Sequence, residues 1–469
     1  QDDIELAHVV FGDFNNDNLL DITFGAYDAP GSGMEEEAGQ MYIMEGSDVW
    51  QQGTVSSNTT WSGNVFVYGD LNVAPGVTLT IDAGTDVWVW PNDPDSSDDT
   101  GAGYPAFGDS TMSEFRVYGF LDVNGTASDP VKFQAWTADS LVSAERDIWK
   151  GIVVYDSSGA GADLRYCQIR NATFGLQSKA DIALRHCTIE AAGYWGLYVG
   201  SADSIYVADT TIRDIGLLGM NVVDGTHAQL RDCELTGIDG HAAAVSDGAI
   251  LYADGTTFTA GVRGVSVVLG DSATTGAVID SCTIDDCDTG VYVYQATDVT
   301  VSNCTLDGDT TNGIYCLDGA SIMVSDNTIK NSTIGIVCID QSHATITGNL
   351  VRDNGAGIKA DDESAPVIED NDVIYNNSCV LASNDADPDL GGGGSSSGDN
   401  EIHHPTDFFV VNLSGGVTVM AENNYWGNTV SPYQPKASKV IGSVDTSPAV
   451  GSPPAISPWA EEREEQNLP

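Results

Sequence analysis

Five oxygen donors near the start of the chain are spaced for a hard cation. In GDFNNDNLLDITFGAY, residues 12–27, Asp13, Asn15, Asp17 and Asp21 take the first, third, fifth and ninth places of a Ca²⁺ loop, and the Leu19 carbonyl takes the seventh. Asn18 stands where glycine is usual, and asparagine tolerates the left-handed bend needed there. Phe24 replaces the bidentate glutamate of the twelfth place. Further along, Asp285 and Asp286 form a carboxylate pair of the kind that can run acid–base hydrolysis. They are sequence neighbours, however, and neighbours in a strand point to different sides. Arg213 beside Asp214 is the best isolated basic candidate. The histidines are scattered, and only His403 and His404 adjoin, in a loop. No Cys/His cluster has metal-ligand spacing. Spacing therefore assigns no catalytic residue and one possible cofactor, Ca²⁺.

Composition narrows the partners. Asp and Glu number 69 against 17 Lys and Arg, for a formal net charge of −52. Such a surface repels nucleic acid and anionic membranes and attracts cations. At 41 % the hydrophobic content is enough for a core. No apolar run reaches the length of a membrane-spanning helix, so no membrane insertion is expected. The chain begins at Gln1 with no signal peptide before it, so either a processed product or an expressed piece is expected.

The elements that must position these residues come from a repeat. The apolar residue that follows a C-T or N-T pair, together with its equivalents after related pairs, falls at Ile169, Ile189, Ile212, Leu235, Phe258, Ile284, Leu306, Ile329, Val351 and Val373, at spacings of 20, 23, 23, 23, 26, 22, 23, 22 and 22. Ten copies at one period indicate a solenoid. Between them lie short runs of alternating apolar residues, which is strand periodicity. Three short strands per 22–23 residues make one triangular coil, and stacking places equivalent strands about 4.8 Å apart.

Two residues before each anchor stand Cys167, Cys187, Thr210, Cys233, Thr256, Cys282, Cys304, Asn327, Asn349 and Asn371, a row that Asn424 continues. An inward asparagine can bond the backbone at a bend and its equivalent one coil away. The thiols are expected to be free and buried, because stacked Cβ atoms lie too far apart for a disulfide. Cys316, Cys338 and Cys379 fall at other inward positions, and Cys287 fits no row. A second row, Asp224, Asp247, Asp271, Asp318, Asp340 and Asp362, marks the turn before a strand, where Asp-Gly and Asp-Ser are favoured. Arg165, Arg185 and Arg231 form a third, expected to pair with nearby acids.

On this repeat the chain resembles the right-handed parallel β-helix family, the pectate-lyase-like group, over roughly residues 57–430. VFVYGDLNVAPGVTLTIDAGTDVWV resembles its N-terminal coils and AENNYWGN, residues 421–428, a final one. The resemblance implies an all-β solenoid. Polysaccharide-cleaving members place acids, often with Arg or Lys, in a groove on one face. The triplet Asp285-Asp286-Cys287 is similar to one in the polygalacturonase branch, but the GHG that should follow is missing. Gly240-His241-Ala242 lies upstream and lacks the second glycine. GDFNNDNLLDITFGAY with GQMYIMEG resembles one FG-GAP repeat, the integrin-α propeller blade with its Ca²⁺ hairpin.

The organisation expected is an arm or cap over residues 1–50, a β-helix over 51–430 and a Pro/Glu-rich extension over 431–469. Two loops break the repeat: acidic NDPDSSDD, residues 92–99, and Gly/Ser-rich NDADPDLGGGGSSSGDNEIHH, residues 384–404. The leading functional expectation is a secreted or cell-surface structural β-helix, stabilised by Ca²⁺, that self-associates head to tail into a fibre or acts in adhesion. The alternative is a carbohydrate-active enzyme, lyase or hydrolase, or a glycan-binding module. The two differ in what they demand of the surface. An enzyme needs a face where acids converge with Arg or Lys, and a fibre needs plain faces and reactive ends.

Overall fold

A computed structural model describes residues 5–12, 21–27, 40–44, 49–91, 112–136, 146–271, 274–427 and 434–451, the first three stretches as backbone alone. Of the expected Ca²⁺ ligands, Asp13, Asn15, Asp17 and Leu19 lie outside these residues. Asp21 opens the strand Asp21–Tyr27, of whose side chains nothing is described. Glu5–Gly12, Asp21–Tyr27 and Gln40–Met44 form an antiparallel sheet of their own.

From Val49 onward the strands stack in parallel, as the alternating pattern requires. One face is a 13-stranded sheet running from Thr59–Trp61 to Val367–Glu369. The second and third faces belong to one 29-stranded sheet, because the long strand Asn64–Val73 pairs with both Asp86–Val89 and Glu114–Val117. Val440–Ile441 pairs with Phe408–Asn412, so the last coil draws a strand from beyond residue 431. The only helix among the described residues is the 3-10 turn Ala437–Lys439. None is long and apolar enough to cross a membrane.

The ten anchors stack in register. Ile169 faces Ile189, Ile189 faces Ile212, and the series continues without a slip to Val373. Each is at most 1 % exposed. Burying an aliphatic side chain this fully contributes about 1.5–3 kcal/mol, so the anchors alone provide a large share of the driving force.

Polar ladders close the corners. Asn349 Oδ1 accepts both the backbone N–H (3.0 Å) and Nδ2 (2.9 Å) of Asn327. Asn371, Asn400 and Asn424 repeat the arrangement. Asn400 is a rung the repeat count missed, since the Gly/Ser-rich insertion stretches the interval to 29 residues. That insertion is wrapped around one carboxylate: Asp389 accepts backbone N–H groups from Gly391, Gly393, Ser395 and Ser396. All nine cysteines are free and buried. Burial pushes the Cys187 and Cys233 thiols up to about 11. Asn349→Ala should destabilise the chain by about 3 kcal/mol, since it strands several buried donors and acceptors. Urea denaturation of both proteins checks this, and equal midpoints would remove the ladder from the account of stability.

Cys287 belongs to a second ladder, three residues after each anchor: Cys287, Asp309, Ser332, Asn354 and Asn376. Cys287 N donates to Asp309 Oδ1 (3.2 Å), Ser332 N to Asn354 Oδ1 (2.9 Å) and Asn354 N to Asn376 Oδ1 (3.0 Å). A glycine row at the start of the third face lets neighbouring coils approach closely. A Cβ on Gly313 would meet the Gly335 carbonyl oxygen at 2.7 Å, and one on Gly335 the Gly357 carbonyl oxygen at 2.7 Å.

The aspartate row needs one correction. Asp224, Asp247, Asp318, Asp340 and Asp362 do occupy left-handed turn positions, as the Asp-rich turn predicts. Asp271 does not; Gly270 takes that place. Gly270 follows Asp247 at the row's ordinary spacing, and Asp271 stands one residue past it, at the head of the insertion that lengthens this coil.

Candidate active face

The residue after each anchor points outward on the second face, so the sequence offset defines a column. Arg170, Glu190, Arg213 and Thr236 follow one another in register. Lower down stand Thr259, Asp285, Asp307, Lys330 and Arg352. The face is thus a charged ridge where acids meet Lys and Arg.

The upper part is closed on itself. Glu190, 8 % exposed at its side chain, accepts from Arg213 Nε at 2.7 Å and pairs on its other side with Arg170. Arg213 is therefore committed to Glu190 rather than to Asp214, which turns the corner at φ 56°. The arginine row behaves as expected. Arg165 and Arg185 share Asp163 at 2.8 Å each, and Arg231 lies 3.9 Å from Asp254.

The lower part is open. Asp285 and Asp307 face each other across adjacent coils, where strands lie about 4.8 Å apart. Their environments differ. Partial burial, reinforced by the charges of Asp286 and Asp307, holds the Asp285 carboxyl above its ordinary range. Burial also acts to raise Asp307. It is outweighed by Asn331, whose Nδ2 donates to Oδ1 at 2.6 Å, and by Lys330, whose Nζ lies 3.1 Å from Oδ2, so Asp307 is held below the ordinary range. Two neighbouring carboxyls pushed apart in this way can divide the roles of acid and base.

Asp285 and Asp286 point to different sides, as expected of sequence neighbours. Asp285 ends its strand facing outward, and Asp286 sits in the left-handed corner at φ 54°. The true partner, Asp307, lies 22 residues away and was legible as the residue after Leu306. His403 closes a strand rather than standing in a loop. Its Nε2 lies 3.3 Å from Glu401 Oε2, while His404 turns the corner and stacks on Tyr375.

A separate acidic groove, lined by Asp318, Asp340, Asp362, Glu363 and Asp385, follows the corner between the third and first faces. Among the described residues no group of three or more His, Cys, Asp or Glu is arranged to hold a metal ion.

Comparison with known proteins gives a family. The family model described as right handed beta helix region matches residues 143–276 and 268–431. No curated protein matches the chain. Among solved structures it is similar to the periplasmic alginate epimerase AlgG, at 12 % identity and a TM-score of 0.42, covering 76 % of each chain. It is also similar to tailspike protein gp49 of Acinetobacter baumannii bacteriophage Fri1, a capsular polysaccharide depolymerase, at 10 % identity and a TM-score of 0.27, covering 96 % of this chain and 73 % of that one. The Family 28 exopolygalacturonase of Yersinia enterocolitica matches at 10 % identity and a TM-score of 0.24, covering 93 % and 81 %.

Proposed function

The chain belongs to the right-handed β-helix family, and on that premise we propose that it is a polysaccharide-processing enzyme working on its second face. The observation that supports this most is the Asp285–Asp307 pair, matched in register and shifted in opposite directions. Asp285, protonated, gives its proton to the glycosidic oxygen as the bond to the anomeric carbon breaks. Asp307, ionised beside Lys330, takes a proton from the water whose oxygen bonds that carbon. The step is a hydrolysis with two carboxyls in complementary roles.

The fibre or adhesion reading asked for plain faces, and the charged ridge weighs against it. The test is a panel of acidic and neutral polysaccharides. New reducing ends without the ultraviolet absorbance of an unsaturated sugar support hydrolysis, and absorbance growing in step with the ends would make the enzyme a lyase. Elongated particles in electron micrographs, with no product from any glycan, would return the chain to self-assembly. Glycan as partner and an extracellular or cell-surface location are part of the same proposal.

Ca²⁺ at Asp13, Asn15, Asp17, Leu19 and Asp21 is a separate proposal, resting on ligand spacing alone. Chelator, or Asp17→Ala, should lower the melting of the N-terminal arm and leave the coil unchanged. Melting that responds to neither would remove the ion.

A further inference from the structure

Asp309 is a buried acid that the hydrolytic step leaves unused. It follows the strand Thr305–Asp307, whose last residue is one of the two proposed carboxyls, and it is fully buried. Its Oδ1 accepts the N–H of Cys287 at 3.2 Å. No donor reaches its Oδ2 among the described residues. Ser332, Asn354 and Asn376 fill the same place on the coils that follow, so the ladder turns acidic once, on the coil that carries Asp307.

Three glycines fix where Oδ2 lies. A Cβ on Gly335 would lie 3.1 Å from Asn354 Nδ2, one on Gly357 2.9 Å from Asn376 Nδ2, and one on Gly290 2.5 Å from Asp309 Oδ2. Oδ2 therefore takes the seat of the amide nitrogen. From that seat Asn354 donates to the carbonyl of Ile329 and Asn376 to that of Val351, each 25 residues earlier. The same interval from Asp309 leads to Ile284. A carboxylate oxygen there would oppose a carbonyl oxygen, two acceptors with no proton between them, whereas a carboxylic acid can donate. Burial, with the charges of Asp285, Asp307 and Asp286, keeps that proton on against the pull of the Cys287 N–H.

The two backbone groups so held bracket Asp285. The Ile284 carbonyl belongs to the peptide that enters Asp285, and the Cys287 N–H closes the corner two residues on. Between them Asp286 turns at φ 54°, and Cys287 Sγ donates to the Asp285 carbonyl at 3.4 Å. Asp285 thus stands on a corner gripped from inside the coil at both ends, and its carboxyl must stay in register with Asp307 for the two to divide acid and base.

We propose that Asp309, in its protonated form, is a positioning residue for Asp285: it donates to the Ile284 carbonyl, accepts from the Cys287 N–H, and releases the corner when its proton leaves. This rests on the hydrolytic reading and adds to it a second proton that must be present at the site. Asparagine would hold the corner at every pH, so aspartate makes the hold conditional. The titratable groups around Asp309 are Asp285, Asp286, Cys287 and Asp288 on the coil before, Asp307 on its own coil and Lys330 on the coil after. Asp288 accepts from Thr310 Oγ1 at 2.8 Å, and Lys330 pairs with Asp307. Burial pushes the Cys287 thiol up to about 12. Of the two groups inside the corner, Asp309 is therefore the one that ionises near pH 8.

The test compares the parent with Asp309→Asn and Asp309→Leu, each as the full chain, on the polysaccharide of the panel that the parent cleaves and in crystals grown at pH 6 and pH 9. Asp309→Asn keeps a donor and an acceptor and should match the parent's kcat at pH 6. Asp309→Leu keeps the bulk and neither bond, and should lose up to about 100-fold in kcat with KM little changed, the cost of a misplaced catalytic group. Above pH 8 the parent should lose log kcat with twice the slope of Asp309→Asn, because two protons must be present rather than one. The Asp285 and Asp307 carboxyls should be equally spaced in the parent and Asp309→Asn at pH 6, and displaced in Asp309→Leu and in the parent at pH 9. Parent kcat in Asp309→Leu, equal slopes in the parent and Asp309→Asn, or an unmoved Asp285 in the leucine crystal would each overturn the proposal. Should Asp309→Leu not fold, the two slopes and the parent's two crystals decide. If the parent cleaves nothing, the hydrolytic reading fails and the crystals alone judge whether Asp309 holds Asp285. If the parent cleaves and the slopes are equal, hydrolysis stands and the positioning role falls.

Discussion

Asp307→Asn will lower turnover of the cleaved polysaccharide by about 10²–10⁴-fold, the range for removing a positioned general base. Asp285→Asn will do the same by removing the acid. The larger part of each loss should fall in kcat, because both groups act on protons in flight. Direction of pKa gives the shape of the profile. Asp307 must be ionised, so activity falls as pH drops through its lowered value. Asp285 must be protonated, so activity falls as pH rises through its raised value. The result is a bell, and Asp307→Asn should erase its acid limb along with most of its height. Lys330→Met, which takes away the ammonium 3.1 Å from Asp307, should move that limb to higher pH. Unchanged kinetics in Asp307→Asn on a substrate the parent cleaves would end the acid–base assignment.

Asp309→Asn will stabilise the protein at neutral pH, and the gain will vanish in acid. Asp309 is fully buried, and its Oδ2 has no hydrogen-bond partner. In the same ladder Asn354 Nδ2 donates to the Ile329 carbonyl at 3.1 Å and Asn376 Nδ2 to the Val351 carbonyl at 2.9 Å. By register, Oδ2 of Asp309 stands where a donor belongs, so the acid is held protonated. Burial, reinforced by Asp285 and Asp307, raises its pKa to about 8 despite the N–H of Cys287. The folded value lies above the unfolded value of about 3.9. The native state therefore binds the extra proton between those limits, and stability falls as pH rises from about 4 to about 8. At pH 7 that amounts to about 4 kcal/mol relative to pH 4, at roughly 1.4 kcal/mol per pH unit. Asparagine lacks this penalty and supplies the missing donor. Denaturant midpoints at pH 4, 6 and 8 check it. Parallel curves for the two proteins would show that Asp309 titrates normally.

Much of this was legible because a β-helix turns sequence offset into position. Once Ile169 to Val373 are aligned, the residue two before each anchor is the first corner ladder. The residue one after is the outer column, and the residue three after is the second corner. Reading only the first offset found the cysteine and asparagine row and left Cys287 unplaced. It also left Asp285 without its partner in the next coil, Asp307. Asn400 was missed because the Gly/Ser-rich insertion lengthens the interval before it, whereas Asp271 was one residue past the turn position that Gly270 fills. The orphaned oxygen of Asp309 was not legible at all. Which carboxyl oxygen meets a donor depends on how neighbouring coils pack at a corner, and that is not a property of spacing. The Ca²⁺ spacing near the N-terminus rests on residues outside the described part of the structure.

The asparagine ladder has a consequence for how such a chain can change length. Asn349 receives from Asn327 what it gives to Asn371, so each tier from Asn327 to Asn400 accepts from the coil before and donates to the coil after. Excising residues 349–370 would set Asn371 where Asn349 now stands, beneath Asn327, and keep the ladder continuous. The asparagine stretch is a column of like storeys, open to shortening or extension beyond the coil that carries Lys330 and Asn331, while Asp285 and Asp307 keep their places.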